Sequence, residues 1–347
     1  MRQTLENYAE HLGSIDVHGW RIPFALTLPS AGAATLPSAI LLIPGSLFSD
    51  VNGDYPSWNS FPHVYAHLAR QLSEHGHAVF RFAKLGPGTG SVVIDEGQAA
   101  TMRTWAGRLV IADAAFDAMR REVDARHVAV ERMIVAGHSE GSVVASQLAA
   151  SSRADEIDGV VLLAGPSVGL LEIMREQTRA MTPLEELDAT IARLDAVIAC
   201  IRRGEIVPVE LATGPGMGAT ALAQMPAEAR RYMRDTDATD PLELARALMQ
   251  PVLVVQAGGD DNVPAERRCV MYCAGAPTAS TTPRFCSFLR SRTCSRSSRR
   301  TCRGIRRSAI QARLISAWRT AWTTGYAADS AEALAIATHL DAYFSSS

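Results

Sequence analysis

The chain has 347 residues, of which 47% are hydrophobic and 20% charged, and such proportions are typical of a globular protein with a large core. No apolar run approaches the ~20 residues that a membrane span needs, and no continuous apolar segment follows the N-terminus. We therefore predict no membrane association and no signal peptide, and expect the protein in the cytoplasm. The net charge of −2 is unevenly distributed, because residues 267–328 contain thirteen arginines and no acidic residue.

Strand-like and helix-like segments alternate up to about residue 265, a pattern that predicts an α/β fold with a mostly parallel sheet flanked by helices. We predict the first strand at an edge of the sheet, because its Pro23 cannot donate a ladder hydrogen bond. The predicted helices cover 64–74 and 99–123, and the predicted strands cover 21–28, 39–43, 78–82, 132–136, 159–163 and 251–255.

A helical insertion is predicted within residues 166–248. Its helices are expected at 172–181, 183–203 and 226–233, with a flexible stretch at 212–218. An insertion at this place lies above the ends of the parallel strands, where open α/β sheets bind ligands, so we interpret it as a cap. Surface helices without a role in binding are the alternative.

The predicted domain division follows from this insertion. Residues 1–165 form the first part of the core, 166–248 the cap, and 249–266 the return of the chain to the core. Residues 267–328 are anomalous in composition, and residues 329–347 are expected to form a C-terminal helix.

The strongest motif is Gly-His-Ser-Glu-Gly at residues 137–141, directly after a predicted strand and before an apolar helix. This strand–turn–helix setting predicts a nucleophile elbow, in which a strained turn exposes Ser139 and two glycines avoid collisions. A plain turn with an exposed serine is the alternative.

Two backbone amides are candidates for an oxyanion hole. The amide of Glu140 lies at the N-terminus of the predicted helix and would point toward the attacked carbonyl. The second amide should come from the turn after strand 39–43, where Ser46 or Leu47 follows Pro-Gly.

An acid should follow a later strand, in the order Ser, Asp or Glu, His. The stretch after the predicted strand 251–255 supplies it: Asp260, four residues before Pro264, fits best, and Asp261 is the alternative. Its role would be to orient a histidine and stabilise the imidazolium.

Residues 41–264 resemble the α/β-hydrolase superfamily, close to bacterial esterases of the dienelactone-hydrolase and serine-aminopeptidase-like groups. The resemblance lies in the 137–141 motif, in the turn 164–166, and in two loops at 44–53 and 81–90. Val51 stands where those loops usually carry arginine. The resemblance implies ester hydrolysis by acyl transfer through Ser139, without a cofactor or metal.

The general base is the missing part of the pattern. Eight of the nine histidines precede Asp260, and only His339 follows it. His339 lies in a predicted final helix capped by Ser330, a setting more typical of a surface residue than of a catalytic base. We retain it as the single candidate.

The region in which the histidine is expected coincides with the arginine-rich segment 267–328. This segment also holds five of the six cysteines and shows no identifiable strand. Three interpretations compete: a nucleic-acid-binding arm, a zinc site, and translation out of frame. Only Cys269 and Cys273 are closely spaced, without a second pair at ligand spacing. The chain has a single lysine, Lys84, which suggests a GC-rich source, and we favour the third interpretation.

Two weak metal patterns do not change this interpretation. Residues 50–54 lack the spacing and the terminal glutamate of a calcium loop, so a hydrogen-bonded turn is expected. His63 and His67 lack the glutamate of a zinc-protease motif. We predict no metal and no nucleic-acid partner.

The sequence thus predicts a serine hydrolase acting on a small-molecule carboxylic ester, with Ser139 as nucleophile. A catalytically impaired relative that lacks the histidine is the alternative, and a thioesterase or aminopeptidase-like amidase is the alternative within the same chemistry.

Overall fold

The computed structural model describes residues 8–30, 35–257 and 284–289. Eleven strands lie within these ranges: β1 Tyr8–Val17, β2 Trp20–Pro29, β3 Thr35–Leu36, β4 Ala39–Ile43, β5 Ala78–Phe82, β6 Val92–Val93, β7 Ala129–Val130, β8 Met133–His138, β9 Gly159–Leu163, β10 Val252–Ala257 and β11 Arg284–Leu289.

Nine of these strands form one mixed sheet in the order β1-β2-β5-β4-β8-β9-β10-β11, with β6 paired to β2. The pairs from β5 to β11 are parallel, and those that involve β2 are antiparallel. β3 and β7 form a separate small parallel pair. The predicted mostly parallel sheet is thereby confirmed.

The helices of the described residues are α1 Val64–Glu74, α2 Glu96–Ala99, α3 Trp105–Asp124, α4 Glu140–Ala149, α5 Leu170–Met181, α6 Leu187–Arg203, α7 Met217–Gln224, α8 Ala227–Asp237 and α9 Pro241–Ala247. α1 covers one face of the sheet, and α3, α4 and α9 cover the other. The central strands are buried on both faces, because their alternate residues enter the two cores.

Helices α5 to α9 lie between β9 and β10, where the sequence predicts an insertion. α5, α6 and α7 enclose a separate apolar core that includes Leu171, Leu194 and Leu222. The stretch 212–218, which is predicted to be flexible, overlaps a helix at its end, because α7 begins at Met217.

The predicted edge position of the first long strand is wrong. β2 lies between β1 and β5 and also pairs with β6 over Trp20–Arg21. The carbonyl of Pro23 accepts a hydrogen bond from the Ala83 amide, on the side of β5. In an antiparallel strand the N–H of a residue points to the same side as its C=O. The missing donor of Pro23 therefore also faces Ala83, so one ladder hydrogen bond is lost. The loss falls at the end of the β2–β5 pairing, whose first pair is Phe24 opposite Phe82.

The arginine-rich segment contains a strand that the sequence analysis did not identify. β11 spans Arg284–Leu289 and pairs in parallel with β10, from Val252 opposite Arg284 to Ala257 opposite Leu289. Its sequence, Arg-Phe-Cys-Ser-Phe-Leu, includes two phenylalanines, which favour strands. The flanking arginines and serines hide this short pattern.

Candidate active site

Ser139 occupies the turn between β8 and α4, with φ 52° and ψ −123°. A positive φ is unusual for a non-glycine residue and indicates backbone strain. The two glycines of the motif lie where no Cβ fits: a Cβ on Gly137 would lie 2.1 Å from the Gly141 carbonyl oxygen, and one on Gly141 would lie 2.4 Å from that of Ile43. The local geometry is therefore that of a strained turn which presents its serine.

The turn after β4 lies directly against this serine. β4 and β8 are adjacent parallel strands, with Ile43 opposite Gly137, so the two turns follow neighbouring strand ends. A Cβ on Gly45 would lie 3.3 Å from the Cβ of Ser139, and Leu47 has a positive φ of 69°. We call residues 44–47 the oxyanion loop, after the role that the sequence predicts for Ser46 or Leu47.

One cavity of about 1520 Å³ collects four residues that the sequence singled out: Ser46, Leu47, Ser139 and Glu140. Its wall is mostly apolar. Large apolar side chains come from both the core and the insertion, among them Trp20, Phe48, Trp58, Phe82, Met174, Met225 and Met233. Such an enclosure suits an organic ligand with a large apolar part.

The carboxylate of Glu140 has an environment that the sequence analysis missed. It is 5% exposed, and it accepts hydrogen bonds from the Tyr232 hydroxyl at 2.8 Å and the Lys84 Nζ at 3.3 Å. The Arg108 guanidinium lies 3.3 Å away, and the Ser46 hydroxyl donates to the second oxygen. Burial opposes ionisation, but the charges of Lys84 and Arg108 prevail and lower the pKa of Glu140 to about 2.

Lys84 and Arg108 also contact the backbone of the oxyanion loop. Lys84 Nζ donates to the Gly45 carbonyl at 2.9 Å, and Arg108 donates to the Pro44 carbonyl at 2.8 Å. Burial, together with the charge of Arg108, lowers the pKa of Lys84 to about 8. We call Lys84, Arg108 and Glu140 the ionic cluster.

His138 supports the same loop from the other side. The Gly45 amide donates to the Tyr65 hydroxyl at 2.9 Å, and that hydroxyl lies 3.0 Å from His138 Nδ1. Burial lowers the pKa of His138 to about 4, so its imidazole is neutral near neutral pH. Together with His67, it is one of two histidines of the described residues that line the cavity.

The remaining sequence-predicted site residues lie outside the described residues. These are Asp260, its alternative Asp261, and His339. The acid and the base of a triad therefore stay predictions.

Two smaller expectations concern the region beside the cavity. Residues 50–54 form the expected hydrogen-bonded turn, in which Asp50 Oδ1 accepts from the amides of Asn52 and Asp54. Asp54 also lies 2.6 Å from His63 Nδ1.

Within the described ranges, no group of three or more His, Cys, Asp or Glu side chains could hold a metal ion. Nor is any helix in that part of the chain long and apolar enough to cross a bilayer.

Comparison with known proteins gives a consistent result. The sequence profile of the alpha/beta hydrolase family matches residues 40–284, a range that includes the elbow and the oxyanion loop. The chain is similar to esterase EstD of Thermotoga maritima, with 27% identity over 251 residues, which are 72% of this chain and 52% of that protein. The chain thus spans about half the length of this curated relative.

Two solved structures extend the comparison. An esterase from Pyrobaculum calidifontis is similar with a TM-score of 0.51 and 14% identity, over 96% of this chain and 85% of that one. Est1E from Butyrivibrio proteoclasticus has a TM-score of 0.47 and 16% identity, over 80% and 88% of the two chains. At 14% identity, the first likeness supports a shared fold alone.

Proposed function

Because this chain belongs to the alpha/beta hydrolase family, we propose that it is a serine hydrolase that cleaves carboxylic esters through an acyl-enzyme on Ser139. The observation that carries the proposal is the strained φ of Ser139, on a turn that lies against the oxyanion loop at the wall of the cavity. A positive φ on a non-glycine residue between a strand and a helix has a clear use when its side chain must be exposed for attack.

In this mechanism the Ser139 hydroxyl attacks the ester carbonyl, and the negative charge moves to the carbonyl oxygen. The Glu140 amide belongs to the first turn of α4, where amides have no intrahelical acceptor, and it would donate to that oxygen. The second donor would be the amide of Ser46 or Leu47. Collapse of the tetrahedral intermediate expels the alcohol, and water then releases the acid.

The proton transfers need a base and a residue that orients it. We propose Asp260 in the orienting role and His339 as the base, since His339 is the only histidine that follows Asp260. The insertion, residues 166–248, is proposed as the cap that closes the cavity over the substrate. The apolar wall favours small-molecule esters with a large hydrophobic group.

A fluorophosphonate probe tests this proposal, because it reacts only with an activated serine. We expect fast labelling of the wild type and none of Ser139→Ala, with loss of about 10³-fold or more in ester hydrolysis. Ser146→Ala is the matched control, since its buried hydroxyl lies on the same helix and donates to the Ser142 carbonyl. Rates on matched ester, thioester and anilide substrates separate the classes within this chemistry.

A catalytically impaired protein is the second candidate, favoured by the single histidine after Asp260. It predicts no labelling of the wild type and no difference from Ser139→Ala. Loss of labelling in His339→Gln would identify the base and exclude the impaired form.

A further inference from the structure

We propose that the ionic cluster positions the oxyanion loop, and that Tyr232 couples this cluster to the helical insertion, so that the oxyanion hole is complete only when the insertion is docked. The kinetic part of this inference rests on the proposed function. Lys84, Arg108, Tyr232 and the side chain of Glu140 are positioning groups here, because they act through the loop and not on the substrate.

The first step concerns the carbonyl groups of the loop. Lys84 holds the Gly45 carbonyl and Arg108 holds the Pro44 carbonyl, each at under 3 Å. In a trans peptide the C=O and the following N–H point in opposite directions. Fixing the Gly45 carbonyl toward Lys84 therefore fixes the Ser46 N–H away from the cluster, and the Ser46 side chain is held as well because its hydroxyl donates to Glu140.

The second step is that Glu140 joins this loop to the elbow. Its backbone belongs to the turn that carries Ser139, whereas its carboxylate binds the two cations that hold the loop. A displacement of the elbow therefore changes the position of the loop. The two amides proposed for the oxyanion belong to these two segments, so the cluster fixes their separation.

The third step concerns the cost of this arrangement. Lys84 and Arg108 are each 8% exposed and Glu140 is 5% exposed, so two cations and one carboxylate are removed from water. Buried ion pairs are often no more stabilising than apolar side chains of the same volume. Stability alone therefore gives little reason for the cluster, whereas the position of two loop carbonyls gives a specific one.

The fourth step is the link to the insertion. Tyr232 lies on α8, where its ring packs edge-on against Trp105 of α3, with a centroid distance of 6.0 Å. The next residue, Met233, packs against the separate core of the insertion. α8 is also tied to the rest of the insertion through Asp237, which accepts from the Leu171 amide and from Arg202. The Tyr232 hydroxyl thus connects the insertion to Glu140 through one hydrogen bond.

Tyr232→Phe is the main test, because it removes only this hydroxyl. Tyr232 lines the cavity, but the substitution keeps its ring and removes only the hydroxyl that donates to Glu140. We therefore expect kcat to fall about tenfold with KM within about twofold. The affinity for a trifluoromethyl ketone, which forms an oxyanion on Ser139, should fall by the same factor as kcat/KM. Ser146→Ala loses one buried hydroxyl outside the cluster and should change neither value.

Amide hydrogen exchange provides a measurement that needs no activity. We expect faster exchange in a peptide covering residues 44–49 in both Tyr232→Phe and Glu140→Gln, and an unchanged rate in Arg153→Met. Arg153 bridges Asp113 and Asp117, so its loss breaks a more exposed ionic group of one cation and two carboxylates, away from the cavity.

Unchanged exchange of residues 44–49 in both cluster variants would overturn the inference, as would ketone binding that stays at the wild-type level while kcat falls. A wild type that neither labels with fluorophosphonate nor hydrolyses esters would disprove the proposed function. The exchange experiment would still decide on the coupling.

Discussion

The elbow and the helical insertion are held in place by different means. At the elbow, backbone segments from β4 and α4 approach so closely that a Cβ on Gly141 would collide with the carbonyl oxygens of Ile43 and Pro44. In the insertion, a side chain holds the backbone in place instead. Arg193, which is 9% exposed, donates to backbone carbonyls of the connection between α6 and α7, those of Leu211, Gly214, Pro215 and Gly216.

This difference indicates how each region responds to an amino-acid substitution. Where two backbone segments are in contact, no atom can rotate away, so an added methyl group forces the start of α4 and the end of β4 apart. A side chain that satisfies carbonyls can be replaced in part by water, so its loss is local. The elbow should therefore respond steeply and globally to substitution, and the insertion weakly and locally.

A pair of glycine substitutions tests this comparison most strongly. Gly141→Ala places a methyl group 2.4 Å from the Ile43 carbonyl oxygen, and we expect a loss of about 3 kcal/mol or more in the free energy of unfolding. Gly218→Ala in α7 meets only the Thr178 hydroxyl at 2.8 Å, and alanine favours helix, so a change within about 1 kcal/mol is expected. Denaturant unfolding of both variants measures the difference, and equal losses would contradict the comparison.

The dependence of stability on acidic pH provides the second test, because it reports on the carboxylate of Glu140. Its pKa is lowered from the usual 4.5 to about 2, because Lys84 and Arg108 outweigh the effect of burial. A carboxylate with a depressed folded-state pKa stabilises the protein above its unfolded pKa, and that contribution is lost as the pH falls from about 4.5 toward 2. The contribution of this carboxylate to the free energy of unfolding amounts to about 3 kcal/mol.

Glu140→Gln should be less stable than the wild type at neutral pH, and the difference should shrink as the pH falls below 4.5. Urea unfolding of both proteins across this range measures it. A difference that is independent of pH would show that the carboxylate is not the group that titrates.

A smaller effect than that of Glu140→Gln is expected from Arg193→Met in the insertion. The free carbonyls of residues 211–216 become partly hydrated, and we expect a loss of about 1–2 kcal/mol. The connection between α6 and α7 should become sensitive to limited proteolysis, whereas hydrogen exchange of residues 44–49 stays at the wild-type rate. Faster exchange at 44–49 would show that the insertion transmits local change to the elbow by a route other than Tyr232.

Local patterns are sufficient to predict the elbow, because strand, glycines and helix are contiguous from Met133 to Ala149. The ionic cluster was not predictable in this way. Its members come from the segment after β5, from α3 and from α4, and only the fold brings them together. Two signals were nevertheless present: the single lysine of the chain, and a glutamate at the start of an otherwise apolar helix.

The two errors in strand assignment have the same origin. Pro23 lacks an N–H and therefore predicts an edge, but it lies at the end of the β2–β5 pairing, where the sheet loses only one ladder hydrogen bond. The average composition of the arginine-rich segment does not indicate β11, because a strand needs only six suitable residues. In both cases pairing partners, which are not adjacent in sequence, determined the outcome.

The close approach at Gly137 and Gly141 has a consequence for entropy. Because no side-chain rotamer separates these backbones, the position of the Ser139 Cβ relative to β4 is determined when the sheet forms. The ordering entropy of the backbone that carries the proposed nucleophile is therefore lost during folding, and substrate binding does not incur it again. Substrates that differ in size should consequently meet the same preorganised serine, with their differences in binding entropy arising at the insertion side of the cavity.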